Sequence, residues 1–387
     1  MTEAEALALT PELPSERWLF RVAAAVALAL HAVVVFGAPG LHGGEDLVPH
    51  LRLIELMRDQ PGLHNVYAPA YHVLGALLSH WVGLDLYPRL FAFAGAAALM
   101  AGFRVFQRCA GLPAASAALF CFMPYAFSLS WCVPKVEAMG YALTLTGLGL
   151  LLRRRHVMVS IVLALTFFVH TAAALLFGLA GGILALASRD RGSLLALAAG
   201  TMLASPLFAV HVASGCTLRE AFLFSRDDYL RGPLPWSFAG NPTELLLLAS
   251  PLALVLAAAG APALWRRHRA VAVSCAVLVV FYLNEIWFKP FGMGTTLDLR
   301  RGLTVLAIPV AASAGMALAA RPRLAAPVVA FSGAFALSTT LFVVQSSCFV
   351  RPIDLAETRE MTVQRCVFRW NGPAYWPGGR RLPGDSR

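Results

Sequence analysis

The sequence predicts an all-α polytopic membrane protein, with about eleven spanning helices and two further helices lying on the outer membrane surface. Three observations carry this. Hydrophobic residues make up 58% of the 387-residue chain and charged residues only 13%, with a mean hydropathy of +0.68. A soluble domain has about a quarter of its residues charged, and a disordered chain needs low hydrophobicity. The apolar residues also fall in recurrent runs of spanning length, and the basic residues stand between those runs on alternate connections.

The first run, 18–38, is too long for the core of a signal peptide, and Glu3, Glu5, Glu12 and Glu16 precede it, so it is expected to be a retained helix. The others are 88–106, 112–130, 136–152, 157–169, 171–187, 194–212, 244–265, 270–288, 301–320 and 324–345. Arg104 and Arg108, Arg153 to Arg155, Arg189 and Arg191, Arg266, Arg267 and Arg269, and Arg321 and Arg323 mark the cytoplasmic connections. The run 67–82 cannot then be a full span, because it would carry Arg104 to the wrong side. It is expected to be an interfacial helix, with His72, Ser79 and His80 spaced along it. A first interfacial helix is expected over 46–59, with Val48, Leu51 and Ile54 on one side and Arg52, Glu55 and Asp59 on another. Residues 1–345 thus form the membrane domain, holding outer loops at 39–87 and 213–243, and 346–387 form a small polar outer tail. Cys348 and Cys366 bracket part of that tail and would either pair in an oxidising compartment or remain two thiols.

The net charge of +10 is no sign of nucleic-acid binding, since the arginines are scattered between apolar runs rather than gathered in one basic patch. The acidic residues are sorted. Between the first and last spans Asp190 alone falls on the cytoplasmic side, while Glu45, Asp46, Glu55, Asp59, Asp85, Glu137 and the rest fall at or near the outer side. A transporter or flippase of a lipid-linked or anionic substrate would need a polar path into the cytoplasmic half and related halves of the fold. The pattern favours chemistry at the outer surface instead.

Candidate residues cluster there. Glu45 and Asp46 follow Gly43-Gly44 directly after the first span, and Asp46 and His50 share a helix face four residues apart. Either carboxylate suits a general base toward a hydroxyl nucleophile, or Asp46 caps the interfacial helix. His64, Tyr67, Tyr71 and His72 form an aromatic and imidazole cluster, either a sugar- or phosphate-facing wall or a set of interfacial anchors. Lys135 and Glu137 flank the start of an apolar run, where a lone carboxylate asks for a reason. Lys289 precedes Arg300 and Arg301, whose guanidinium groups suit a phosphate headgroup, bound specifically or as ordinary anchoring. No metal-ligand spacing appears. A divalent ion is compatible with the gathered carboxylates and histidines, but no cofactor is required.

A first span, an acidic outer loop, two interfacial helices and then Tyr87-Pro88-Arg89-Leu90 opening the second span resemble the GT-C class of integral-membrane glycosyltransferases. The aminoarabinose and protein O-mannosyl transferases, which use polyprenyl-phosphate sugars, look most similar. The resemblance implies a catalytic base at Asp46 or Glu45 and a second acidic position at Glu137. It also implies a Pro-containing segment before an Arg-Leu pair at 69–90, and an arginine for the donor phosphate at Arg300 or Arg301. It further implies inverting transfer from a polyprenyl-phosphate sugar to a hydroxyl acceptor, a glycan, lipid or protein; besides a transporter or flippase, the alternative is a polysaccharide ligase-type membrane protein lacking lipid-phosphate-monosugar chemistry. The expected location is a bacterial inner membrane, with the site on the periplasmic or extracellular face.

Overall fold

The computed structural model describes residues 14–37, 41–42, 47–59, 69–124, 136–213, 246–288, 302–346 and 352–353. These are almost wholly helical. The helices are α1 (Pro14–Gly37), α2 (Leu47–Asp59), α3 (Ala70–Cys109), α4 (Ala114–Phe120), α5 (Val136–Leu152), α6 (His156–Val169) and α7 (Thr171–Ala187). They continue as α8 (Arg191–Leu203), α9 (Ser205–Ala213), α10 (Pro251–Arg267), α11 (Arg269–Tyr282), α12 (Asn284–Phe288), α13 (Leu303–Ala319) and α14 (Ala325–Ser346). An unanticipated two-residue bridge, Leu41–His42 paired antiparallel with Pro352–Ile353, joins the segment after α1 to the segment after α14.

Helices α5 and α7 coincide with the apolar runs at 136–152 and 171–187. Elsewhere a run is broken by its own chemistry. The run at 194–212 divides into α8 and α9 before Pro206, which has no N–H to continue the helical ladder. Helix α3 holds the second interfacial segment and the following span together, interrupted at Gly83, where φ 76° and ψ 168° are open to glycine alone.

Two of these helices, α1 over Arg17–Gly37 and α3, are long and apolar enough to cross a membrane. The surface agrees with a lipid solvent. Trp81, Val157, Leu195 and Met202 are 79%, 73%, 70% and 75% exposed, and Val33, Val255, Val280 and Phe331 also face outward. Polar side chains are meanwhile held inside, bonded to helix carbonyls. Thr144 donates to Ala173 O at 3.0 Å and Ser160 to Ala196 O at 2.8 Å, tying α5 to α7 and α6 to α8. Between apolar helices in lipid there is little hydrophobic gain, so close backbone approach and such bonds carry association. Gly260 shows the requirement: a Cβ there would run into the Ser313 carbonyl of α13.

The helices alternate in direction. At one end of α1 Phe20 lies under the Arg104 guanidinium, 4.8 Å from its ring centroid, and at the other Val35 accepts a hydrogen bond from Arg89. The connections around Arg108, Arg153–Arg155, Arg189–Arg191 and His268 gather at the Arg104 end. Helix α2, the first half of α3, the start of α5 and His170 gather at the other.

Candidate functional site

The site grows from the apolar side of α2. Leu51 and Ile54 are buried with Val35, Tyr71, Tyr87, Ala92 and Val136, so α2 rests on α3 beside the end of α1 and the first residue of α5. Gly75 permits the approach, since a Cβ there would stand 2.5 Å from Ile54 Cδ1. One turn before Ile54, His50 points at the first turn of α3. Its Nδ1 lies 2.8 Å from His72 Nε2, and its ring meets Tyr71 edge-on at 5.7 Å. Tyr71 is in turn packed on Phe91 at 4.7 Å and Tyr87 at 5.3 Å.

Two polar links hold this floor. Tyr87 Oη donates to the Tyr71 carbonyl at 2.6 Å. The buried Arg89 donates to Val35 O at 2.6 Å, satisfying a last-turn carbonyl of α1, and pairs with the exposed Asp85 at 3.5 Å. The Tyr71 hydroxyl is buried with no hydrogen-bond partner among the described residues. Burial, and then the neighbouring Tyr87, push the Tyr71 phenol well above its ordinary pKa, so it stays neutral.

Glu137 is half-buried in the first turn of α5, next to Val136 of the same apolar floor. A turn further on, Gly140 abuts the His170 ring. His170 accepts from Ala173 N at 3.2 Å and so caps α7, a structural task.

Of the residues singled out in the sequence, His50, Tyr71 and His72 are thus in mutual contact, and Glu137 opens the helix whose first residue packs on the same floor. Glu45, Asp46, His64, Tyr67, Lys135, Lys289, Arg300 and Arg301 lie outside the described residues, as do Cys348 and Cys366. Among the described residues no three His, Cys, Asp or Glu side chains gather as a metal-binding group. The structure adds Arg89, whose part in docking α1 was not read from the sequence. The signal available was a guanidinium at the start of an apolar run, expensive in a membrane unless it faces a partner inside the bundle.

No family model matches the sequence, and no curated protein sequence is detectably similar. Solved structures are similar in fold. ArnT from Cupriavidus metallidurans in the apo state superposes with a TM-score of 0.57 at 16% identity, over 79% of this chain and 60% of that one. The same protein bound to undecaprenyl phosphate gives 0.54 at 16% identity, over 86% and 72%. The arabinofuranosyltransferase AftD from Mycobacteria gives 0.55 at 18% identity, over 91% of this chain but 29% of that one. The chain thus spans well under two thirds of AftD and 60% of apo ArnT. With α2 laid on the divided α3 directly after the first helix, and with these superpositions, the chain has the fold of the GT-C class of glycosyltransferases.

Proposed function

We propose that this protein is a GT-C glycosyltransferase that moves a sugar from a polyprenyl-phosphate donor to a hydroxyl acceptor at the outer face of the membrane, with inversion. The observation that carries the reading is the docking of α2 on α3 through His50, Tyr71 and His72. This fixes the helix whose N-terminal side, in sequence, bears Glu45 and Asp46. The ArnT structure with undecaprenyl phosphate supports the choice of donor class. About eleven spans and a bacterial inner-membrane location belong to the same proposal.

In this mechanism Asp46 takes the proton of the acceptor hydroxyl, with Glu45 or Glu137 orienting acceptor or sugar. The acceptor oxygen bonds to the anomeric carbon as the bond from that carbon to the phosphate oxygen breaks. The lipid phosphate leaves with the electron pair. Arg300 and Arg301, with Lys289 or Lys135, stabilise the charge that develops on it, a contribution that commonly exceeds that of the base. His64 and Tyr67, with Tyr71 and His72, would line the sugar or phosphate side. No cofactor is required, and a divalent ion remains compatible with the carboxylates.

The test is Asp46→Asn, with transfer from a labelled polyprenyl-phosphate sugar followed in liposomes. A general base contributes typically about 10²–10⁴-fold, so turnover should fall within that range; unchanged turnover removes Asp46 from the mechanism. Arg301→Ala should lower kcat and, so far as the guanidinium also holds the ground-state phosphate, raise the KM for donor; unchanged kcat and KM would contradict its phosphate role.

A further inference from the structure

Three neighbouring helices end at the arginine-rich end in the same way. After α3, α5 and α7 the chain turns through one residue of left-handed backbone, and the next N–H reaches back to the carbonyl five residues earlier. The bonds are Leu112 N to Gln107 O at 3.0 Å, Arg155 N to Leu150 O at 3.0 Å and Asp190 N to Ala185 O at 2.9 Å. The left-handed position is ordinarily glycine. After α3 it is Gly111 at φ 66°, but after α5 and α7 it is Arg154 at φ 55° and Arg189 at φ 52°. Two arginines therefore occupy a backbone conformation that costs a side chain stability, where the same turn elsewhere in this chain uses glycine.

What these positions hold is a concentrated cation. Arg154 and His156 both lie 3.6 Å from the Asp190 carboxylate, and Arg153 reaches the Arg108 carbonyl at 3.3 Å, so the connections form one surface. Arg154, Arg155, Arg189 and Arg191 are exposed on it and Asp190 is the acidic residue among them. Asp190 is largely occupied otherwise, accepting from Ser193 N and Ser193 Oγ at 3.2 and 2.9 Å. Within a turn or two of the arginines, Val157, Met158, Leu186 and Leu195 are exposed and apolar.

We infer that Arg154 and Arg189, with Arg155 and Arg191, form a binding site for an anionic phospholipid. Its phosphate lies on the guanidinium groups and its acyl chains run along Val157, Met158, Leu186 and Leu195. Guanidinium suits phosphate bidentately, and the adjoining apolar strip is what a free phosphate would leave uncovered. General attraction of loop arginines to an anionic leaflet would not call for arginine at two left-handed positions. The site is remote from the outer cluster and independent of the proposed transfer reaction.

The test follows thermal unfolding of the full chain in neutral detergent with added phosphatidylglycerol, phosphatidylcholine or glycerol 3-phosphate. Phosphatidylglycerol alone should raise the midpoint, by a few degrees. Arg154→Gly with Arg189→Gly should abolish that rise, while leaving the lipid-free midpoint unchanged or higher because the turns are relieved. Arg321→Gln with Arg323→Gln, an equal loss of charge in another connection, should keep the rise. Equal responses to both lipids, an equal response to glycerol 3-phosphate, retention in the glycine variant, or an equal loss in the Arg321 and Arg323 variant would each overturn the assignment.

Discussion

His50 and His72, 22 residues apart in sequence, meet edge to edge with Nδ1 and Nε2 2.8 Å apart. Their centroids are 5.0 Å apart and their planes 23° from parallel, but the nitrogens lie well inside the ~3.5 Å contact distance of stacked faces. One ring therefore donates N–H and the other accepts, an arrangement open to imidazole only while at least one ring of the pair is neutral. The bond joins α2 to α3 at the point where the candidate carboxylates precede α2.

Replacing His72 by alanine should loosen α2 without unfolding the bundle. A hydrogen bond of this kind is worth about 1 kcal/mol net, roughly a fivefold change in the ratio of docked to undocked α2. In the transfer assay kcat should fall by no more than that factor, with a partial return in His72→Gln, whose amide can donate or accept. Hydrogen exchange of residues 47–59 measures the docking directly. Unchanged protection of α2 in His72→Ala would show that Leu51 and Ile54 alone hold the helix.

The two tyrosines of the floor separate structural from chemical roles. Tyr87→Phe removes the donor to the Tyr71 carbonyl, which keeps its place in the helical ladder of α3, so it should cost about 0.5–1.5 kcal/mol of stability. Tyr71→Phe removes a hydroxyl that has no partner among the described residues, so stability should hold or rise slightly. A fall in transfer by Tyr71→Phe at unchanged stability would then place that hydroxyl against substrate. Because burial raises the Tyr71 pKa, its stabilising contribution is complete below about pH 10, the unfolded value, and is lost as pH rises beyond it. Alkaline melts of the wild type and Tyr71→Phe should accordingly diverge only above about pH 10.

Much of the helical scaffold was legible in the sequence because lipid imposes a coarse code of apolar runs bounded by charge. Val136–Leu152 is fenced by Lys135 and Arg153, and Thr171–Ala187 by His170 and Arg189, so their limits could be read directly. The breaks were harder. Pro206 interrupts a run whose composition reads as continuous, because hydropathy averages over the one residue that matters, whereas Gly83 falls in the gap between the runs 67–82 and 88–106. Contacts between elements were out of reach. In the sequence His50 stands in register with Asp46, and His72 belongs to the cluster with His64, Tyr67 and Tyr71; only folding α2 onto α3 brings the two histidines together. Arg89 stood in a Tyr-Pro-Arg-Leu string, but its partner is a main-chain carbonyl at Val35, which carries no sequence signal.

That Arg89 contact makes an asymmetric prediction. Arg89→Ala strips a charged donor from a buried carbonyl and should cost about 1.5–3 kcal/mol. Asp85→Ala should cost under about 1 kcal/mol, because the Asp85 side chain is 60% exposed and its ion pair is screened by water. Denaturation of both variants in the same detergent decides the matter. Equal losses would mean that the ion pair, not the carbonyl, anchors α1 to α3.

At the opposite end His268 offers a pH-dependent prediction. It stands between α10 and α11, with its Cε1 3.6 Å from where a Cβ on Gly111 would lie. Burial lowers its pKa, the Ala110 backbone raises it by accepting a hydrogen bond, and the Arg267 charge lowers it again, leaving it below the ordinary 6.5. A lowered imidazole pKa means that the unfolded chain takes up the proton first. The stability is therefore complete above about pH 6.5 and declines as pH falls from there through the lower folded value. His268→Gln keeps a donor for Ala110 but does not titrate, so it should flatten this part of the melting curve between about pH 7.5 and pH 5. Any decline shared with the variant belongs to other groups. If the two curves run parallel throughout, the neutral His268 ring is not what couples α3 to the α10–α11 turn.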